Sequence, residues 1–173
     1  MIKRSPKLPR KVFPMIRQAN NVDLDEVSRL ARIVTSNLHS LGIDQWSELY
    51  PLRVHFEADL MKQGLYVFEE NNVIVGAMAL LPEQDPPYLT IPFSKGRSYV
   101  IHRIMVLPHR MRQKIGISLF EYAIDYCKDQ RIEFLKIDTH PDNFRMRQFL
   151  QKMGFQEIGY MPSIHRIGYQ LDL

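Results

Sequence analysis

The sequence predicts a single domain of mixed α/β (α+β) layers, and three observations carry that prediction. Strand-like and helix-like runs follow one another in the order β-α-α-β-β-β-α-β-α-β-β, with no internal repeat. The chain has 173 residues, 45% hydrophobic and 24% charged, which suits a globular domain able to bury a real core. No run approaches the ~20 apolar residues needed to cross a bilayer. The single cysteine, Cys127, excludes an internal disulfide scaffold and disfavours a zinc-cysteine site.

The elements follow in order. Residues 12–18 (Val12, Phe13, Met15, Ile16) read as a first strand, with Pro14 suggesting an edge position. Asp23 and Glu26 have capping-box spacing. Val27, Leu30, Ala31, Val34, Leu38 and Leu41 then recur at helical intervals up to Gly42. A linker from Ile43 to Pro51 precedes a shorter helix over about 54–63. The runs 65–69 and 73–81 flank Glu70-Asn71-Asn72, so they predict a hairpin. Residues 82–97, with four prolines and Gly96, form a long loop of the kind that often serves function. A strand over 99–106 ends before Pro108. Ile117, Phe120, Ala123, Ile124 and Cys127 mark one face of a helix over 115–129. A strand over 132–138, a helix over 143–152 and strands over 155–160 and 166–171 complete the chain.

Charge is concentrated at one end. Lys3, Arg4, Lys7, Arg10 and Lys11 stand in the first eleven residues, before any acid, and they account for the net charge of +4. The remainder, 12–173, is near neutral. The basic balance therefore describes an N-terminal extension, 1–11, and gives little support to nucleic-acid binding. No apolar h-region follows the basic residues, so no secretory signal is read, and a cytoplasmic setting is expected.

The chemistry-bearing stretch runs from Val100 to Tyr160. A strand ending in Met105-Val106 leads through a basic loop, Leu107 to Lys114, straight into a helix. The unpaired N–H groups of a helix's first turn and its dipole favour an anion, and Arg110, Arg112 and Lys114 add full charges. A pyrophosphate fits such a site; an ordinary βα turn with a solvated loop has the same pattern.

These residues resemble the GNAT superfamily of N-acetyltransferases. Met111-Arg112-Gln113-Lys114-Ile115-Gly116 stands where the family carries Arg/Gln-x-x-Gly-x-Gly/Ala. Asn143 with Lys152-Met153-Gly154-Phe155 is similar to a second family segment. Ile101-His102-Arg103-Ile104, Asp138 to Asn143, Gly42 to Trp46 and Tyr50-Pro51 resemble a bacterial subgroup, and the likeness spans about 13–173. Three positions depart from the pattern. Met111 replaces the Arg/Gln, Lys114 replaces the first glycine, and Leu150 stands where many relatives place a tyrosine that protonates the leaving thiolate.

The resemblance implies a central, mostly antiparallel sheet of six or seven strands, splayed at the cofactor site and flanked by about four helices. It implies acetyl-CoA as acyl donor, no metal, and direct attack by a small-molecule or peptide amine. A weakly active or non-catalytic CoA-binding module is the alternative. The donor would be held by Ile104, Met105, Val106, Arg112, Gln113, Lys114, Ile115, Gly116, Ile117, Ser118 and Asn143. A backbone N–H of Met105 or Val106 would face the oxyanion. The candidate bases are His102, placed by period 2 on the face of Val100, Ile104 and Val106, and His140 at the end of the next strand. Tyr160 and Tyr169 are candidate acids. Asp44, Gln45, Trp46 and Tyr50 would wall the acceptor side, with Trp46 beside an acid suiting a cationic amine or else anchoring the linker. Relatives are often dimers, so a homodimer is admitted; a membrane partner is not expected.

Overall fold

The computed structural model describes residues 15–82 and 84–173. The basic extension and the start of the first strand, Val12 to Pro14, lie outside the described residues. In chain order the elements are β1 (Met15–Gln18), α1 (Leu24–Ser40), α2 (Arg53–Met61), β2 (Leu65–Glu70), β3 (Val73–Leu81), β4 (Ser98–Val106), α3 (Ile115–Asp129), β5 (Phe134–Thr139), α4 (Phe144–Lys152), β6 (Gln156–Met161) and β7 (Arg166–Asp172).

The sheet has seven strands in the order β1-β2-β3-β4-β5-β7-β6. Every pairing is antiparallel except β4 with β5. The amphipathic helices sort onto its two faces. Leu24, Val27, Leu30, Ala31 and Leu38 of α1 and Phe56 of α2 pack with Leu65, Val67, Ala77 and Met105. On the opposite face Ile115, Leu119, Phe120 and Ala123 of α3 and Leu150 of α4 pack with Met78, Leu80, Ile101, Leu135 and Ile137. The long loop also has a packing role. Its Tyr88, Ile91 and Phe93 cluster with Val100 and Met161. A Cβ at Gly168 would meet Phe93 at 2.8 Å, so this strand position needs glycine to let the loop settle on the sheet.

The entry to α1 differs from its expected form. The capping box is built by Asn20 and Asp23 around a short 3-10 turn, Asn21–Asp23. Asp23 also binds Arg17, at 2.7 Å, and Glu26 instead accepts the Ile74 N–H at 3.0 Å. Both pairs satisfy the spacing, and the turn before the helix takes the earlier one.

The feature that shapes the site is a bulge in β4. Met105 pairs with Ala77 and His102 with Ala79, so β4 spends one residue more than β3 over this interval. Arg103 sits in the bulge with φ of 50°. Its guanidinium donates to Asp59 at 2.7 Å and to the Tyr50 hydroxyl at 2.9 Å. An unusual left-handed backbone is thus fixed by a half-buried arginine whose Asp59 partner on α2 is almost fully buried.

Candidate active site

The β4–β5 ladder runs from Ser98–Phe134 to Ile101–Ile137 and stops there. Beyond it, Ile104, Met105 and Val106 line a cleft of about 390 Å³. The far end of β4 therefore pairs with β3 on one side and presents its other edge to this cleft, as an added extended chain requires.

The start of α3 forms the basic end. Arg112 (φ 69°) and Lys114 (φ 65°) are left-handed residues on either side of Gln113. Such alternation turns successive N–H groups inward and makes an anion-binding concavity. Lys114 is the N-cap and supplies no side-chain cap bond, so the first-turn N–H groups of Ile115, Gly116 and Ile117 stay open to a ligand. Arg110, Arg112, Lys114, Gly116 and Ile117 all line the cleft. A Cβ built on Gly116 would have no protein atom within 4 Å, so the space over this residue belongs to the cleft. An anionic group fits this end and an extended chain the β4 edge. The left-handed φ at Lys114 is one that glycine adopts without cost; lysine accepts some strain and contributes charge.

Residues 31–155 match the acetyltransferase (GNAT) family. The chain belongs to this family. Solved structures agree. An acetyltransferase of the GNAT family from Streptococcus agalactiae 2603 is 23% identical, with a TM-score of 0.80 over 92% of this chain and 95% of that one. A GNAT family acetyltransferase from Listeria monocytogenes 4b F2365 is 22% identical, with a TM-score of 0.77 over 92% and 95%. The PaiA N-acetyltransferase of Thermoplasma acidophilum, solved in complex with coenzyme A, is 15% identical, with a TM-score of 0.74 over 94% and 100%. Among curated proteins, none matches the chain in sequence. As a GNAT family member the protein is an acyltransferase of the acetyl-CoA-dependent type. Among the described residues no group of three His, Cys, Asp or Glu side chains is placed to hold a metal.

The GNAT donor residues expected from sequence divide by position. Ile104, Met105, Val106, Arg112, Lys114, Gly116, Ile117 and Asn143 line the cleft; Gln113, Ile115 and Ser118 do not. Ile115 instead faces the core under α3, 3% exposed. Leu150 is fully buried and absent from the cleft wall, where its α4 neighbours Met146 and Phe149 appear.

His102 needs a correction. The bulge reverses the alternation, so His102 shares a face with Val100 and Met105, while Ile104 and Val106 pack on the α3 side. It borders a separate small polar cleft with His55, Asp59, Asp85 and Arg103, and its Nδ1 lies 3.9 Å from Asp85. For Trp46 the linker-anchoring alternative holds. It is 6% exposed and packed with α1 while one side still lines the cleft, whereas the Asp44 side chain is 89% exposed and lies 3.8 Å from His39, so the two form no open site for a cation. Tyr50 binds Arg103 and stacks edge-on against His55.

Gln45 does line the cleft, and its amide oxygen accepts from Thr139 Oγ1 at 3.0 Å, His140 N at 3.3 Å and Asn143 Nδ2 at 2.9 Å. His140 is 4% exposed, and its Nδ1 accepts from the Asp142 N–H at 3.1 Å. Burial pushes its pKa below the ordinary histidine value, and the nearby Arg166 and His165 push in the same direction. The His140 ring meets that of His165 edge-on at 4.7 Å, and His165 hydrogen-bonds the half-exposed Tyr160. Tyr169 is buried and donates to Glu157 at 3.0 Å.

Sequence reasoning named Asp138 only within the Asp138–Asn143 motif and gave it no role. It accepts the Tyr88 hydroxyl at 2.7 Å and lies 3.6 Å from Arg166, and burial raises its pKa despite both. Its only sequence signal was an acid inside an apolar strand.

Proposed function

We propose that the protein transfers the acetyl group of acetyl-CoA to an amine by direct attack in a ternary complex. One observation carries the reading. The open β4 edge and the left-handed Arg112–Lys114 loop at the start of α3 line a single cleft, one end apolar and the other cationic. A CoA thioester laid along it has its pantetheine on Ile104–Val106 and its pyrophosphate on α3. A backbone N–H of Met105 or Val106 faces the oxyanion that forms as the neutral amine attacks the thioester carbon.

His140 is the base favoured by position. It lies beside Gln45 and Asn143, which line the cleft, its lowered pKa keeps it unprotonated near neutral pH, and its Nδ1 takes the proton by giving up the Asp142 N–H it accepts at rest. His102 acts only if the acceptor reaches past Arg103 into the smaller cleft. A cytoplasmic setting and a small-molecule or peptide acceptor belong to this reading.

The non-catalytic alternative rests on Leu150, which leaves α4 without an acid toward the cleft. Release of CoA thiol from acetyl-CoA over a panel of amines decides between them. Amine-dependent release supports transfer, and CoA binding without release supports the alternative.

A further inference from the structure

The cleft does not end at the β4 edge. Its far wall is built by α1 and the linker after it, from Val34, Leu38, Leu41, Ile43 and Trp46. The charged residues lining the cleft are Arg110, Arg112, Lys114 and Arg145; among the described residues no Asp or Glu side chain lines it. Asp44 and Asp142, the acids adjoining lining residues in sequence, have side chains mostly exposed to solvent. The amide oxygen of Gln45 already accepts three hydrogen bonds.

This arrangement carries a selection rule. An ammonium brought into an apolar cleft without a carboxylate keeps its desolvation cost. The reacting amine exchanges that cost for a single deprotonation, because it must shed its proton before attack. A second ammonium on the same molecule does not escape it. An apolar body gains instead, by roughly 25 cal/mol for each Å² of surface it covers.

Resting on the acetyltransfer reading, we propose that the acceptor is an amine carried on an apolar body, aryl or branched alkyl, with no second positive charge. The α1 wall holds that body. The nitrogen lone pair attacks the thioester carbon, the C–N bond forms as the C–S bond breaks, and sulfur leaves as thiolate. One ammonium proton is lost before attack, and the second N–H proton leaves with amide formation. One of these protons ends on the CoA thiol and the other is released to solvent.

The test uses the full chain saturated with CoA, with 2-phenylethylamine and 1,5-diaminopentane as probes in calorimetry. The expected result is at least tenfold tighter binding of phenylethylamine. Leu41 is half-exposed at the end of α1, so Leu41→Asp should fold with an unchanged melting temperature and reverse the preference. Equal or tighter binding of the diamine by the unaltered chain would overturn the proposal. So would binding of neither amine. Hexanoyl-CoA binding more than tenfold tighter than acetyl-CoA and displacing phenylethylamine would also overturn it, by assigning the wall to the acyl chain. Failure of CoA itself to bind is read separately and would overturn the donor reading beneath it.

Discussion

Gln45 Oε1 and Asn143 Nδ2 lie 2.9 Å apart, although 98 residues separate them. The bond joins the linker after α1 to the N-cap of α4, whose Oδ1 in turn accepts the Met146 N–H at 3.2 Å. The two walls of the cleft are thus tied across its floor. Gln45→Leu keeps the volume and leaves the Asn143 amide and the Thr139 hydroxyl without this acceptor. A loss of about 1–3 kcal/mol in urea unfolding is expected, with weaker acetyl-CoA binding. Unchanged stability would show that the tie contributes nothing.

Gly116→Val is expected to fold normally and to lose CoA binding. No protein atom lies within 4 Å of the added Cβ, so the side chain projects into the space assigned to the donor. Calorimetry checks it against a melting curve: CoA affinity should fall at least tenfold with little change in melting temperature. Undiminished affinity would move the pyrophosphate elsewhere.

Arg103 holds the β4 bulge by pairing with Asp59, and both side chains are largely buried. Arg103→Met strands a buried carboxylate, with an expected cost of about 3–5 kcal/mol. For a chain of this length that lowers the melting temperature by on the order of 10 °C. Tyr50→Phe removes only the hydroxyl and should cost about 1 kcal/mol. A similar small loss for both variants would mean that the bulge is held by backbone pairing alone.

The pH dependence follows from His140, whose pKa is lowered by burial first and by Arg166 and His165 next. The folded state resists the proton that the unfolded chain accepts below the ordinary histidine value of about 6.5. Stability is therefore full above that pH and is lost as pH falls through the lower folded value. His140→Gln should flatten this part of the profile. If His140 is the base, the acid limb of the wild-type pH–rate curve lies below 6.5, and the variant loses turnover by about 10²-fold while still binding CoA. A limb that survives the substitution unchanged would remove His140 from the role.

Much of this was legible in the sequence because it is periodic or local. The α3 face of Phe120, Ala123 and Cys127, the hairpin turning at Asn71–Asn72, and the strand-loop-helix around Gly116 each show within a dozen residues. The bulge at Arg103 was not legible. One extra residue in the apolar run Val100–Val106 leaves no trace in its pattern, yet it turns His102 to the other face. Trp46 next to Asp44 suggested an open cage, but the direction of neighbouring side chains in a linker is set by tertiary packing. Asp138 was hidden for a related reason. Its burial depends on Tyr88, brought from a loop 50 residues away.

The most direct test of the central claim is mass spectrometry of an amine incubated with acetyl-CoA and the full chain, with free CoA thiol measured in parallel. The account predicts an N-acetylated amine formed in equal amount to released CoA, and the loss of both with Gly116→Val. Tight binding of acetyl-CoA with no acetylated product from any amine, apolar or polycationic, would contradict it.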